Sequence, residues 1–199
     1  TELLHDWAQR SERFKAVPGG YRFSYCRDIG RVRLVVIDCR NGRVLEPGHR
    51  QMVDDDEWQW VTDHAMADCD HLLLASSLPV LMPGALHDLE AWNEVVCDGR
   101  WGRRCIGIGE KIRRAIDLED WPAFRTSFDR YVALLRDVAT PDRPDGHRPP
   151  ATVCMLSGDV HFTYGVAAHF DTGDGRPPAE STVHQLVCSP IRNALVHRE

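Results

Sequence analysis

No run of apolar residues approaches the roughly 18 that a membrane-spanning helix requires, and the opening TELLHDWAQRSERFK is too polar for the core of a signal peptide. Both absences predict a soluble chain that contacts no membrane and works in the cytoplasm. Positive charge is in short supply: 24 Lys and Arg stand against 30 Asp and Glu, a net charge of −6. That balance speaks against a nucleic-acid partner gripped by bulk basic charge. The seven cysteines, Cys26, Cys39, Cys69, Cys97, Cys105, Cys154 and Cys188, include no C-x-x-C pair and no histidine at a matching interval, which argues against a zinc ribbon or finger. An odd number of scattered thiols, with Cys154 and Cys188 inside apolar runs, reads as reduced cysteines serving as small hydrophobes. There is no internal repeat.

What is present suffices for one globular domain. The 199 residues are 43% apolar and carry six Trp, six Phe and four Tyr, enough bulk for a core and too much for a disordered chain. The chain opens on Thr1 inside what reads as an amphipathic helix, so a processed or partial sequence is expected.

Strand-like and helix-like stretches alternate along the chain. Residues 21–26 and 31–38 read as two strands around a turn at Asp28 and Gly30, the second ending in the continuous run Val35-Val36-Ile37 of a strand covered on both faces. Acidic residues 54–57 ahead of Trp58, Val61 and Ala65 mark a helix start, since negative charge complements the dipole of a first turn. Residues 71–76 (HLLLAS) read as a short buried strand, followed by a loop punctuated by Pro79, Pro83 and Gly84. Residues 85–96 read as a helix with a polar interruption at Asn93, and residues 98–109, with four glycines and several arginines, as a loop. Trp121, Phe124, Phe128, Tyr131, Leu135 and Val138 recur at intervals of three and four, predicting a long packed helix with Pro122 in its opening turn. The proline-rich 140–150 reads as a surface loop, and 152–156, 161–170 and 182–188 as three closing strands. Alternation followed by consecutive strands predicts an α/β fold of mixed sheet flanked by helices.

In such folds ligands bind beyond the carboxyl ends of the central strands. Two places qualify. Asp38 and Arg40 follow the strand LVVI, and Ser157-Gly158-Asp159-Val160-His161 follows TVCML. Gly158 permits close backbone approach, and in extended chain Asp159 and His161, two apart, point to one side. A carboxylate and an imidazole converging there make half of a metal site; an ordinary turn beside a half-buried histidine is the alternative. His87, His169 and His184 read as surface or core-edge residues, and Trp121, Phe124 and Phe128 as core.

LSGDVHF (156–162) and QLVCSPIRN (185–193) resemble the end of the catalytic domain of PhoD-like phosphatases, the alkaline phosphatase D family of calcineurin-like metallophosphoesterases. RVRLVVIDCRNGRVL (31–45), EWQWV (57–61), HLLLASSLPVLMP (71–83) and DLEDWPAFRTSFDRYVALL (117–135) agree in order and spacing, so the resemblance covers almost the whole chain. It implies a four-layered α/β/β/α metallophosphoesterase sandwich that hydrolyses small phosphate esters at a dinuclear metal centre, holding calcium and iron or other divalent metals. Asp159 and His161 match the last metal motif of the family and are implied to be catalytic metal ligands. Arg40 then becomes a candidate clamp for a phosphate oxygen, with a surface pairing to Asp38 as its alternative.

Two ions about 3.5–4 Å apart activate a water and neutralise charge on the attacking and leaving oxygens, and one Asp with one His cannot hold both. The family's earlier ligands lie in an N-terminal half whose Gly-Asn-His motif does not occur here, and the only other Gly-Asp is Gly173-Asp174. The expectation is therefore the C-terminal half of a larger enzyme, with the missing N-terminal half as its partner. Alone, such a half would expose an apolar sheet face and hydrolyse little. A non-catalytic binding or interaction module derived from a phosphoesterase fold is the second reading. A thiol enzyme using Cys39 or Cys105 has no histidine partner in the sequence to support it.

Overall fold

The computed structural model describes residues 23–46, 48–171, 173 and 175–189. The expected N-terminal helix, the start of the strand at 21–26, Asp174, and residues 190–193 of the last family block lie outside the described residues.

The short apolar runs form the middle of one six-stranded sheet. Its strands are β1 (Tyr25–Ile29), β2 (Val32–Ile37), β3 (His71–Ser76), β4 (Thr152–Ser157), β5 (Tyr164–Ala168) and β6 (Thr182–Val187), in the spatial order β1-β2-β3-β4-β6-β5. The inner four are parallel, and β1 and β5 close the edges antiparallel. Four helices accompany them among the described residues: α1 (Asp55–Ala65), α2 (Gly84–Cys97), α3 (Arg103–Ala115) and α4 (Arg125–Ala139). None is long and apolar enough to cross a membrane.

The register separates the two faces of the sheet. Val35, Leu74, Met155 and Gln185 stand side by side across the inner strands and are all buried, the first three packed in one core with Val61 and Ala65 of α1 and with Tyr131, Leu135 and Val138 of α4. One residue further along, Val36, Ala75, Leu156 and Leu186 line up on the other face, where the first three are only half-buried and Leu186 is 53% exposed. Tyr25, paired with Val36, is exposed there too. An apolar second face is what makes β2 read as a run rather than an alternation. The described residues form one sheet with helices against one face, a mixed α/β fold; the second sheet of the expected four-layered sandwich is not among them.

Local departures from the sequence reading have identifiable causes. Residues 98–109, expected as a loop, contain the start of α3. Glycine costs a helix about 1 kcal/mol relative to alanine, but Gly109 is where α3 crosses α2: a Cβ there would stand 3.0 Å from both Cys97 Sγ and Val96 Cγ1. The polar Asn93 on the facing side is buried and donates through Nδ2 to the Gly109 carbonyl at 3.0 Å. The helix expected from Trp121 is interrupted. Trp121–Ala123 form a 3-10 turn, Phe124 leaves helical geometry at φ −129 and ψ 72, and α4 begins afterwards. The Glu94 carboxylate of α2 caps that start, accepting the Arg125 amide on both oxygens at 2.7 Å. Asp54 caps α1 more conventionally, accepting the Glu57 amide at 2.7 Å. The loop at 140–150 is pinned by the buried Arg143, which reaches Asp145 and the Met66 carbonyl.

Candidate functional site

Because β2, β3 and β4 are parallel neighbours, the loops after them emerge at one edge, where the sequence places Asp38 and Arg40, Ser77, and Gly158 to His161. Asp38 folds the first loop. Its Oδ1 accepts the amides of Arg40 at 3.0 Å and Asn41 at 3.1 Å, and its Oδ2 accepts Asn41 Nδ2 at 2.9 Å. A carboxylate satisfied by backbone donors one and two residues beyond its neighbour makes a tight turn, and it leaves the Arg40 side chain free to extend.

Arg40 does not pair with Asp38 through its guanidinium, so that alternative is corrected. Its Nε donates to Ser77 Oγ at 3.2 Å, its Nη1 to Glu119 Oε1, and its Nη2 to Asp159 Oδ2. One cation thus joins the loops after β2, β3 and β4 to the segment ahead of α4. Glu119 is held from the other side by Arg43 Nη1 at 2.6 Å, while Arg43 Nε donates to the Cys39 carbonyl at 2.7 Å. Burial pushes the Glu119 carboxyl up, but the hydrogen bonds from Arg43 and Arg40 outweigh it and hold the group below its ordinary value. The cluster faces solvent: the side chains of Arg40 and Asp159 are 37% and 47% exposed.

Gly158 fulfils the role expected of it. Its amide donates to the Ser77 carbonyl at 3.2 Å, and a Cβ would meet the Cys188 carbonyl at 3.0 Å, so the backbone after β4 lies against the end of β6. The extended-chain expectation for the next residues does not hold. Asp159 and His161 adopt left-handed backbone at φ 69 and φ 62, so their two-residue spacing does not set a common side, and the strand expected at 161–170 begins only at Tyr164. His161 is exposed, and no hydrogen bond joins it to Asp159 or Arg40. Among the described residues no group of three or more His, Cys, Asp or Glu side chains is placed to hold a metal ion. With the Asp159 carboxylate taken by Arg40, the described residues do not by themselves fit the two ions the resemblance implies.

His87 packs its ring edge-on to Phe128 at 5.0 Å, and His169 and His184 are exposed. Trp121 and Phe124 are fully buried in the core, as expected. All seven cysteines are free, and Cys39 is buried with its thiol 3.1 Å from Ser77 Oγ.

Sequence reasoning missed Glu119, Arg43 and Ser77, and behind them a buried acid pair. Glu90 of α2 and Asp120 are 2% and 7% exposed. Burial raises both carboxyls, and the neighbouring Asp120 raises Glu90 further, so the pair retains a proton that isolated carboxyls would release. Gln185 was also missed: buried on β6, it accepts the amides of Val80 at 2.9 Å and Leu81 at 2.8 Å and donates to the Leu81 carbonyl at 2.7 Å, fixing the loop after β3. The available signal was the acidic pair at 119–120 beside Trp-Pro and a lone Gln in an apolar strand.

No family model matches the chain, and no curated protein matches it in sequence. Among solved structures it is similar to one described as "Structure of PhoD", with a TM-score of 0.51 and 14% identity over 89% of this chain. The chain spans 31% of that structure's length. At this identity the likeness is one of fold.

Proposed function

We propose that this chain is part of a phosphate-ester hydrolase and supplies its anion-recognising edge. The observation that carries the reading is Arg40, set by the Asp38 turn at the carboxyl end of β2 and extended across the ends of β3 and β4 to Asp159. A planar guanidinium matches two phosphate oxygens as it matches a carboxylate. Phosphate takes the place of the Asp159 carboxylate on Arg40, while Glu119, anchored by Arg43, keeps the guanidinium in place from behind. The fold likeness to PhoD supports the hydrolase class.

In the same reading Asp159 and His161 contribute to the metal centre, and its remaining ligands come from outside the described residues. When bound, the two ions supply water activation and charge neutralisation. The apolar outer face of the sheet, lined by Val36, Leu156 and Leu186, supports a second sheet packed there in the complete α/β/β/α protein.

The test uses the longest natural form of the protein, assayed on a chromogenic phosphomonoester and the matching diester with divalent metals supplied. Arg40→Ala is expected to raise KM at least tenfold. Turnover with KM unchanged in the variant would remove Arg40 from substrate binding. No turnover of either ester, with inorganic phosphate still bound in an Arg40-dependent way, would favour the non-catalytic binding module.

A further inference from the structure

The one strongly basic stretch of this acidic chain lies outside the candidate site. Residues 100–116 carry six basic residues, Arg100, Arg103, Arg104, Lys111, Arg113 and Arg114, against a single acid, Glu110, in a chain whose net charge is −6. Glu110 is used by Arg113 at 2.9 Å and by Arg114 at 3.9 Å. Arg100, Arg103, Arg104 and Lys111 are exposed and have no ion-pair partner among the described residues.

Bulky apolar side chains stand among these charges. Arg104, Ile108 and Lys111 follow at intervals of four and three, which places them on one helical face, and Ile108 is 59% exposed. Trp101, 61% exposed, precedes α3 and meets Trp92 of α2 edge to face at 5.7 Å. Ile116, just past the helix end, is 54% exposed. The inner side of α3 is already occupied, through Gly109 against α2. A helical face that sets Ile108 between unpaired Arg104 and Lys111, with exposed Trp101 ahead of the helix and exposed Ile116 just past it, is a different object from a merely solvated charged face.

Departing from the expectation of a chain that contacts no membrane, which rested on the absence of a spanning segment and a signal peptide alone, we infer that α3, with Trp101 and Ile116 at its ends, docks this protein on an anionic lipid surface. Unpaired Arg and Lys side chains engage acidic headgroups, while Trp101 and Ile108 enter the boundary between headgroups and acyl chains, the position amphipathic rings favour. Charge complementarity selects an anionic partner, and the exposed Ile108 and Ile116 favour a lipid surface over a single-stranded polynucleotide, which rewards charge and aromatic stacking more than exposed aliphatic side chains. The contact is peripheral and reversible.

Co-sedimentation of the full chain with vesicles of phosphatidylcholine, with and without phosphatidylserine, tests this. Binding is expected to vesicles containing phosphatidylserine and to weaken as salt is raised. Each neutralised residue should lower the partition about fivefold, so Arg104→Ala with Lys111→Ala should lower it about twenty-five-fold, and Trp101→Ala should lower it without changing the salt dependence. Melting curves matching the parent show that these variants are folded; the neutralisation Arg27→Ala, on β1, serves as a control that should leave binding unchanged. No binding to anionic vesicles, equal binding to neutral ones, or binding indifferent to Arg104 and Lys111 would overturn the inference. Retention of single-stranded RNA by these residues without vesicle binding would overturn it in favour of a polynucleotide.

Discussion

Glu94 provides a clean test of how burial and helix capping compete at one carboxyl. It sits buried on α2 with both oxygens 2.7 Å from the Arg125 amide at the start of α4. Burial is the larger influence and raises the group from 4.5 to about 7, against the downward pull of the amide. A carboxyl whose folded value lies above its unfolded one contributes stability that is complete below about pH 4.5 and is lost as the pH rises through about 7. At about 1.4 kcal/mol per factor of ten, the loss has a ceiling of about 3 kcal/mol. Glu94→Gln keeps the shape and an acceptor for the Arg125 amide but cannot ionise. Urea unfolding of both chains at pH 5, 6, 7 and 8 should show similar stability at pH 5 and a growing advantage for the variant, up to about 3 kcal/mol at pH 8. Glu90 and Asp120, also raised, slope the same way in both chains and cancel in the difference. A difference that stays constant across the range would show that Glu94 does not hold its proton in the folded state.

Gly158→Ala should destabilise by about 1–3 kcal/mol, read by denaturant midpoint, because its Cβ meets the immovable Cys188 carbonyl at 3.0 Å; an unchanged midpoint would mean that β4 and β6 end further apart. Gly109→Ala should lose stability although alanine favours a helix by about 1 kcal/mol, and Val96→Ala added to it should restore part of the loss, since Val96 Cγ1 is one of the atoms met at 3.0 Å. In residues 1–199 expressed without the proposed second sheet, Leu186→Lys should change stability by no more than about 0.5 kcal/mol while reducing any self-association seen on a sizing column, because Leu186 is 53% exposed on an apolar face. A loss of several kcal/mol there would mean that the face is already packed.

Elements were legible in the sequence where the local pattern and the tertiary environment agree. HLLLAS is β3 to the residue, and the acidic cluster at 54–57 is the cap and first turn of α1, because one buried strand and one helix dipole decide each of them. α3 was not legible: glycines read as loop signals when their neighbours are unknown, and only the approach of α2 shows that Gly109 is a packing surface. Similarly, the aromatic spacing from Trp121 is right for a helix, but Glu94, brought from another helix, determines where α4 begins.

The candidate site divides along the same line. Strand ends could be located from the apolar runs, and with them Asp38, Arg40, Gly158 and Asp159. Partners could not, because each contact joins loops far apart in sequence: Arg40 meets Glu119 across 79 residues and Asp159 across 119. Parallel pairing of β2, β3 and β4 makes those contacts possible by delivering three carboxyl ends to one edge. The turn then does the rest. With Asp38 satisfied by the Arg40 and Asn41 amides, the nearest carboxylate no longer competes for the guanidinium, which reaches outward to acids that only the fold supplies. A serine or asparagine at position 38 could still form the turn, whereas Arg40→Lys would keep the charge and lose the fork that spans Glu119 and Asp159 together. The orientation of the Arg40 fork, more than its charge, therefore sets how an anion can be held at this edge.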